Sequence, residues 1–168
     1  MPTTKISKEL RWEGAHRLVG DQGLCRHIHG HSFRLRISVE APVDKVGMGF
    51  AFGKIKATMQ DLIDNKLDHA LILWAEDPLL HALASDISRR TPIGAQEPTD
   101  AYVALKDVYS RVYAVPKNPT SENLAEHFWG IIEGRLPEGV TLSELWFAET
   151  KSCAVTITAD HIHKLPEQ

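Results

Sequence analysis

The sequence lacks the features of membrane, nucleic-acid-binding and exported proteins. No run approaches the roughly 18 apolar residues of a membrane span, and the N-terminus has no signal-peptide core. The formal net charge is −3 without a basic excess, so no nucleic-acid surface is expected. Only two cysteines occur, Cys25 and Cys153. Without an export signal we expect free thiols rather than a disulfide, and therefore a cytoplasmic protein.

The chain also lacks internal repeats, low-complexity segments and any linker that would divide it. Its 168 residues suit one domain with a proper core, and its apolar content of 43% is ordinary for a globular protein. We therefore predict a single domain over residues 1–168. Composition and charge assign no function to it.

Hydrophobic patterning predicts an α+β fold. Alternating apolar and polar residues predict strands over residues 4–13, 31–41, 142–150 and 154–159. Helical spacing of apolar residues predicts helices over residues 52–65 and 119–136, and Pro119-Thr-Ser-Glu-Asn123 predicts a hydroxyl N-cap for the second. The element order indicates a four-stranded antiparallel sheet with two main helices on one face.

An inserted segment at about 74–117 interrupts this pattern. Asp77 before Pro78 is typical of a helix start, with Asp77 as the N-cap, and residues 111–115 are predicted to form a short strand. Residues 88–99 are polar and are predicted to be a loop. Residues 14–30 are also predicted to be a loop, with Cys25 near its end.

Three histidines surround the thiol of Cys25 in sequence. His29 and His31 are separated by Gly30, so on a strand both imidazoles leave the same face. His16 lies upstream and supplies a third imidazole. Three neutral nitrogens with an open fourth position are typical of a catalytic zinc site. The alternative is a polar strand that binds no metal.

Two acidic positions offer further chemistry. Asp68 precedes His69, which is common at a helix end, but near Cys25 such a pair could orient an imidazole and stabilise a thiolate. Glu149 ends an otherwise apolar strand. It is either an exposed acid or an anchor for a ring with adjacent N–H donors, such as a pterin or guanine.

Five short motifs together resemble the 6-pyruvoyltetrahydropterin synthase family, and more closely its bacterial 6-carboxytetrahydropterin synthase branch, which acts in queuosine biosynthesis. The resemblance covers roughly residues 5–160. The motifs are Ala15-His-Arg-Leu18, Cys25-x-x-x-His29-Gly-His31, Leu67-Asp-His69, Pro119-Thr-Ser-Glu122 and Glu149-Thr150. The family has the tunnelling fold, in which subunits assemble into barrels with active sites at their interfaces. The resemblance thus implies a homo-oligomer, and we expect a hexamer.

The resemblance also implies roles for individual residues. Zinc would be bound by His16, His29 and His31. Cys25 would accept a proton, with Asp68, His69 and Glu149 as its proton relay. Glu149 would also anchor the pterin, and Thr120 would line the pterin pocket. The family substrate is 7,8-dihydroneopterin triphosphate. The carboxy branch releases triphosphate and acetaldehyde and needs no redox cofactor.

The short gap of three residues between Cys25 and His29 favours the carboxy product. Two departures from the family pattern concern Ala51, where a helix-capping Asp or Asn is usual, and the long segment 88–110. There are three alternative functions. The protein could catalyse the pyruvoyl-forming reaction, or it could be a non-catalytic module that binds zinc and a pterin. It could also be a different zinc lyase or aldolase that acts on a related pterin or purine.

Overall fold

The computed structural model describes residues 2–83 and 111–162. Its six strands are β1 (Thr3–His16), β2 (His29–Pro42), β3 (Ala70–Trp74), β4 (Val112–Val115), β5 (Thr141–Ala148) and β6 (Ala154–Thr158). Its helices are α1 (Phe52–Leu62), α2 (Ser121–Glu133) and the short α3 (Ala159–Ile162). Residues 78–83 are also helical, Leu24–Arg26 form a 3-10 turn, and Ile63–Leu67 form a π-helical turn.

The sheet is mixed, in the order β4-β3-β1-β2-β5-β6. The four predicted strands correspond to β1, β2, β5 and β6, and they pair antiparallel as expected. The predicted four-stranded antiparallel sheet is only part of the sheet, because β3 and β4 extend it through parallel pairings. β4 matches the short strand predicted at 111–115. β3 was missed because its sequence, Ala-Leu-Ile-Leu-Trp, is a continuous apolar run without alternation, as is usual for a parallel strand buried on both faces.

The loop between β1 and β2 is shorter than predicted. Pairing continues through Gly14 opposite His31 and His16 opposite His29, so the loop covers residues 17–28 rather than 14–30. The sequence did not predict this extension, because glycines such as Gly14 and Gly30 are typical of loops. The longer ladder places His16 directly across from His29.

Both long helices pack on one face of the sheet, as predicted. Ile55 and Met59 of α1 and Phe128 of α2 belong to the same buried cluster as the inward residues of β1, β2 and β5. At its centre Trp12 stacks on Phe33, with ring centroids 5.6 Å apart, and meets the edge of Phe128 at 5.8 Å. Each fully buried side chain of this size stabilises the fold by roughly 1.5–3 kcal/mol.

The helix termini follow the sequence closely. Thr120 Oγ1 accepts a hydrogen bond from Asn123 N at 3.2 Å, and Asp77 Oδ1 accepts one from Leu79 N at 2.7 Å, so both predicted N-caps are confirmed. Ala51 precedes α1 without a side-chain cap.

The two long helices end earlier than predicted. α1 ends at Leu62 and gives way to the π-helical turn, and α2 ends at Glu133. The predicted loop at 88–99 and the segment 88–110 lie outside the described residues. Among the residues that are described, no helix is long and apolar enough to cross a membrane.

Candidate active site

Three imidazoles converge where β1 ends and β2 begins. His16, His29 and His31 each offer one nitrogen, and these nitrogens lie within 4.8 Å of one another. Their rings are 4.6–5.1 Å apart between centroids. The strand register produces this arrangement, because His16 is paired with His29 and His31 follows on the same face of β2. The predicted cluster is therefore assembled within one chain and could hold a metal ion.

Backbone carbonyls orient two of these rings. His16 Nδ1 donates to the carbonyl of Pro119 at 2.9 Å, and His29 Nδ1 donates to the carbonyl of His27 at 2.8 Å. A carbonyl can only accept, so both Nδ1 atoms carry the proton and the Nε2 lone pairs remain free. Such bonds fix the tautomer and ring orientation of metal-ligating histidines.

Burial favours the neutral form of two of the three imidazoles. Only 1% of His16 is exposed, and desolvation lowers its pKa, an effect that the Pro119 hydrogen bond and the charge of Glu149 oppose. Burial likewise lowers the pKa of His31. Neutral imidazoles are the form that binds metal.

Two nitrogens of the cluster have no hydrogen-bond partner in the described residues. His16 Nε2 and His31 Nε2 are buried, and neither forms a hydrogen bond within residues 2–83 and 111–162. Buried polar atoms are normally satisfied, so this pair requires an explanation. A metal ligated by the two nitrogens supplies one, and a set of three histidines suits zinc with an open coordination position.

Glu149 lies beside these nitrogens. Its two carboxylate oxygens are 3.7 Å from His16 Nε2 and 3.8 Å from His31 Nε2, and 19% of its side chain is exposed. Ser121 Oγ donates to Glu149 Oε1 at 2.7 Å. The carboxylate therefore forms part of the wall of the centre. Ser121 was missed in the sequence, where it was only the residue after the cap of α2.

Asp68 and His69 form a pair that β1 holds in place. Asp68 Oδ2 is 2.9 Å from His69 Nδ1, and Asp68 Oδ1 accepts from the backbone of Glu13 at 3.0 Å. The Glu13 N–H is the main cause that lowers the pKa of Asp68, so the carboxylate is ionised at neutral pH. Asp68 thus orients the His69 ring and balances the charge of its protonated form.

The backbone of His69 is in the left-handed region, with φ of 59°, and its N–H donates to the Glu13 carbonyl at 2.6 Å. Non-glycine residues rarely adopt this conformation, which costs on the order of 1–3 kcal/mol and is concentrated at functional sites. The imidazole is 75% exposed and lines a cavity of about 520 Å³ with Ile28, Leu71 and Arg111.

Cys25 is separate from this pair. It lies in the 3-10 turn of the loop and is exposed, and its carbonyl accepts from Leu18 N at 2.8 Å. Within the described part of the chain, its thiol makes no hydrogen bond to Asp68 or His69. One copy therefore brings together the histidines and Glu149 and leaves the thiol apart from the Asp68–His69 pair. Thr120, the remaining predicted residue, caps α2 beside the centre.

Comparisons with known proteins give matches over most of the chain. The sequence profile of 6-pyruvoyl tetrahydropterin synthase matches residues 5–160. A Rickettsia felis protein named 6-carboxy-5,6,7,8-tetrahydropterin synthase is 30% identical over 156 residues, covering 91% of this chain and 99% of the relative. A Rickettsia typhi protein of the same name is 31% identical over equal shares of the two chains.

Solved structures share the fold. The crystal structure of an uncharacterised Wolinella succinogenes protein has a TM-score of 0.78 at 22% identity, covering 95% of this chain and 99% of that chain. Caenorhabditis elegans 6-pyruvoyl tetrahydropterin synthase has a TM-score of 0.60 at 19% identity, covering 95% and 97%. With the profile match and the Rickettsia relatives, these likenesses show that the chain belongs to the 6-pyruvoyl tetrahydropterin synthase family of enzymes.

Proposed function

We propose that this protein is a zinc-dependent lyase that converts 7,8-dihydroneopterin triphosphate to 6-carboxy-5,6,7,8-tetrahydropterin, releasing acetaldehyde and triphosphate. The observation that carries the proposal is the cluster of three imidazoles beside Glu149, in which two buried nitrogens lack a hydrogen-bond partner. The names of the Rickettsia relatives and the short spacing from Cys25 to His29 support the carboxy product over the pyruvoyl product.

Zinc would be held by His16, His29 and His31. When bound, it supplies Lewis-acid chemistry that polarises substrate hydroxyls and makes neighbouring protons more acidic. The protein's own contribution is to bring three imidazole nitrogens together and to fix the tautomers of His16 and His29 through the carbonyls of Pro119 and His27.

Glu149 would orient the pterin ring beside this centre. Ser121 already donates to Oε1, which fixes the carboxylate plane and leaves Oε2 and the remaining lone pairs to accept ring N–H groups. Thr120 would line the pocket. Its hydroxyl accepts the cap bond from Asn123 N, so its own proton remains available to a ligand.

Cys25 would move a proton in the reaction, with Asp68 and His69 as its relay. In one copy Cys25 and His69 are exposed and, in the described residues, no hydrogen bond joins the thiol to the Asp68–His69 pair, so we propose that neighbouring copies complete the site. The sheet offers edges for this assembly. Among the described residues, β3 pairs with only Gly14–His16 of β1, so the rest of β1 has no partner strand on that side. β6 forms the opposite edge of the sheet.

Because β1 and β6 run in opposite directions, β6 of one copy can extend the antiparallel pattern at β1 of the next. Head-to-tail pairing of this kind closes into a ring, and we expect a hexamer built from such rings. A monomer in light scattering at micromolar concentration would contradict the assembly.

The deciding experiment is incubation of the zinc-loaded protein with 7,8-dihydroneopterin triphosphate, followed by mass spectrometry. We expect 6-carboxytetrahydropterin, triphosphate and acetaldehyde, with consumption of one water as the atom balance requires. A 6-pyruvoyl product would reassign the chain to the elimination reaction alone. Bound but unchanged pterin would identify a non-catalytic binding module, and a different product would identify another lyase.

A further inference from the structure

The loop that carries Cys25 is fixed at its beginning by a side-chain amide. Asn118 Oδ1 accepts from Val19 N at 3.0 Å, and Asn118 Nδ2 donates to the Val19 carbonyl at 2.9 Å. One amide thus satisfies both backbone groups of Val19, as a neighbouring strand would. These two hydrogen bonds join the loop to the segment before α2.

The Val19 contact extends to Cys25 through the loop backbone. Leu18, which precedes Val19, donates its N–H to the Cys25 carbonyl at 2.8 Å. A second tether holds Arg17, whose Nε donates to Asp77 Oδ2 at 2.9 Å. Asp77 is fully buried, and its other oxygen caps the helical residues 78–83. The start of the loop is therefore fixed on both sides, while the turn at Cys25 is exposed.

Asn118 is itself held rigidly. Its carbonyl accepts from Thr120 N and from Asn123 Nδ2, both at 2.8 Å. The next residue, Pro119, accepts the Nδ1 proton of His16, and Ser121 binds Glu149. Four consecutive residues thus contact the Cys25 loop, a candidate metal ligand, the start of α2 and the candidate pterin anchor.

We infer that Asn118 is a positioning residue that fixes the loop of Cys25 relative to the three-histidine centre. This inference rests on the proposed function, in which Cys25 moves a proton of a substrate bound at that centre. Proton transfer requires hydrogen-bond distance, and misplacement of a reacting group by about 1 Å can cost on the order of 100-fold in rate. Asn118 touches no reacting atom. Its effect acts through Val19 and Leu18 on the thiol.

The test compares Asn118→Ala with Asn65→Ala in the zinc-loaded oligomer. Both remove one asparagine side chain, but Asn118 bonds to the loop, whereas Asn65 is exposed in the π-helical turn. We expect Asn118→Ala to lower kcat by about tenfold to a hundredfold, with KM changed less than about threefold and zinc content unchanged. We expect Asn65→Ala to stay within about threefold of the unaltered protein in kcat.

Hydrogen exchange supplies a readout that needs no substrate. In Asn118→Ala the amides of Leu18 and Val19 should exchange at least about tenfold faster, while those of β2 remain unchanged. Should Asn118→Ala fail to fold, Asn118→Asp keeps the shape and the acceptor for Val19 N but loses the donor. A carboxylate oxygen would then face the Val19 carbonyl, acceptor against acceptor, so this variant should show changes in the same direction.

Each outcome decides the inference. Unchanged exchange at Val19, an unchanged kcat, an equal loss in Asn65→Ala, or loss of zinc in Asn118→Ala would each overturn it. No turnover by the unaltered protein would instead overturn the proposed function and the catalytic part of the inference with it. The exchange data would then still decide whether Asn118 holds the loop.

Discussion

The candidate metal ligands and the proposed proton-transfer groups differ in how much a single chain completes. His16, His29 and His31 converge within 4.8 Å, with His16 buried and the other two partly buried. Cys25 and His69 are exposed, and no hydrogen bond joins them in the described residues. The three histidines lie on one hairpin, whose register alone brings them together. The proposed proton-transfer groups lie on separate turns at the surface, where a second copy can reach them.

The largest effect is expected at the hairpin. His29→Ala removes one of three metal nitrogens, so zinc should fall from about one per chain to near none after gel filtration. The matched control is His81→Ala, which removes an exposed histidine outside the cluster. Full zinc occupancy in His29→Ala would remove His29 from the site.

At the thiol, Cys25→Ser should lower turnover by about 100-fold to 10,000-fold, the usual range for loss of a proton-transfer group. Zinc content should be unchanged, because Cys25 is not a proposed ligand. Cys153→Ser, at the other exposed cysteine, should retain full activity. Loss of activity in Cys153→Ser with an active Cys25→Ser would reverse the assignment of the two thiols.

Glu149→Gln tests whether the carboxylate beside the three histidines anchors the pterin. The substitution keeps the size but replaces one acceptor with a donor, so pterin affinity should fall about tenfold to a hundredfold, as expected for loss of a charge-assisted bond of roughly 1.5–3 kcal/mol. Calorimetric titration with neopterin measures it, and zinc content serves as the control. Wild-type affinity in Glu149→Gln would eliminate the anchor role.

Mixing two inactive variants tests whether the site lies between copies. When Cys25→Ser and His69→Ala chains are refolded together in equal amounts, about a quarter of the sites should receive both intact groups from different chains. Activity should therefore return to about a quarter of the wild-type value. If thiol and imidazole come from the same chain, every site lacks one group and no activity returns.

The smallest effect concerns pH. Three imidazoles with the ordinary pKa of about 6.5 would lose about sixfold in zinc affinity between pH 7.5 and 6.5 through competition with protons. Because burial lowers the pKa of His16 and His31, we expect a fall of less than about threefold. Competition with a zinc-binding dye measures the zinc affinity at the two pH values. A sixfold fall would contradict the lowered pKa values of His16 and His31.

The stability of the metal-free protein should also fall as the pH is lowered. His16 has a lower pKa in the folded state than in the unfolded state, where it is near 6.5. The contribution of His16 to the free energy of unfolding is therefore present above about pH 6.5, and it is lost as the pH falls through the pKa of His16 in the folded state.

The sequence was informative where a role depends on nearby residues. The i, i+2 spacing of His29 and His31 on a strand predicted the metal cluster, and Thr120 and Asp77 were recognisable as helix caps. β3 was missed because a strand buried on both faces has no alternation. The roles of Ser121 and Asn118 depend on side chains or backbone far away in sequence, so no local pattern could indicate them.

The pairing of His16 with His29 closes the ladder at the mouth of the loop. A metal bound by both would cross-link the ends of residues 17–28, as a disulfide does, and reduce the conformational entropy of the unfolded hairpin. A slip of one residue between β1 and β2 would turn the imidazoles to opposite faces of the sheet and separate the ligands. Zinc would therefore select the correct strand register during folding, before any substrate is present.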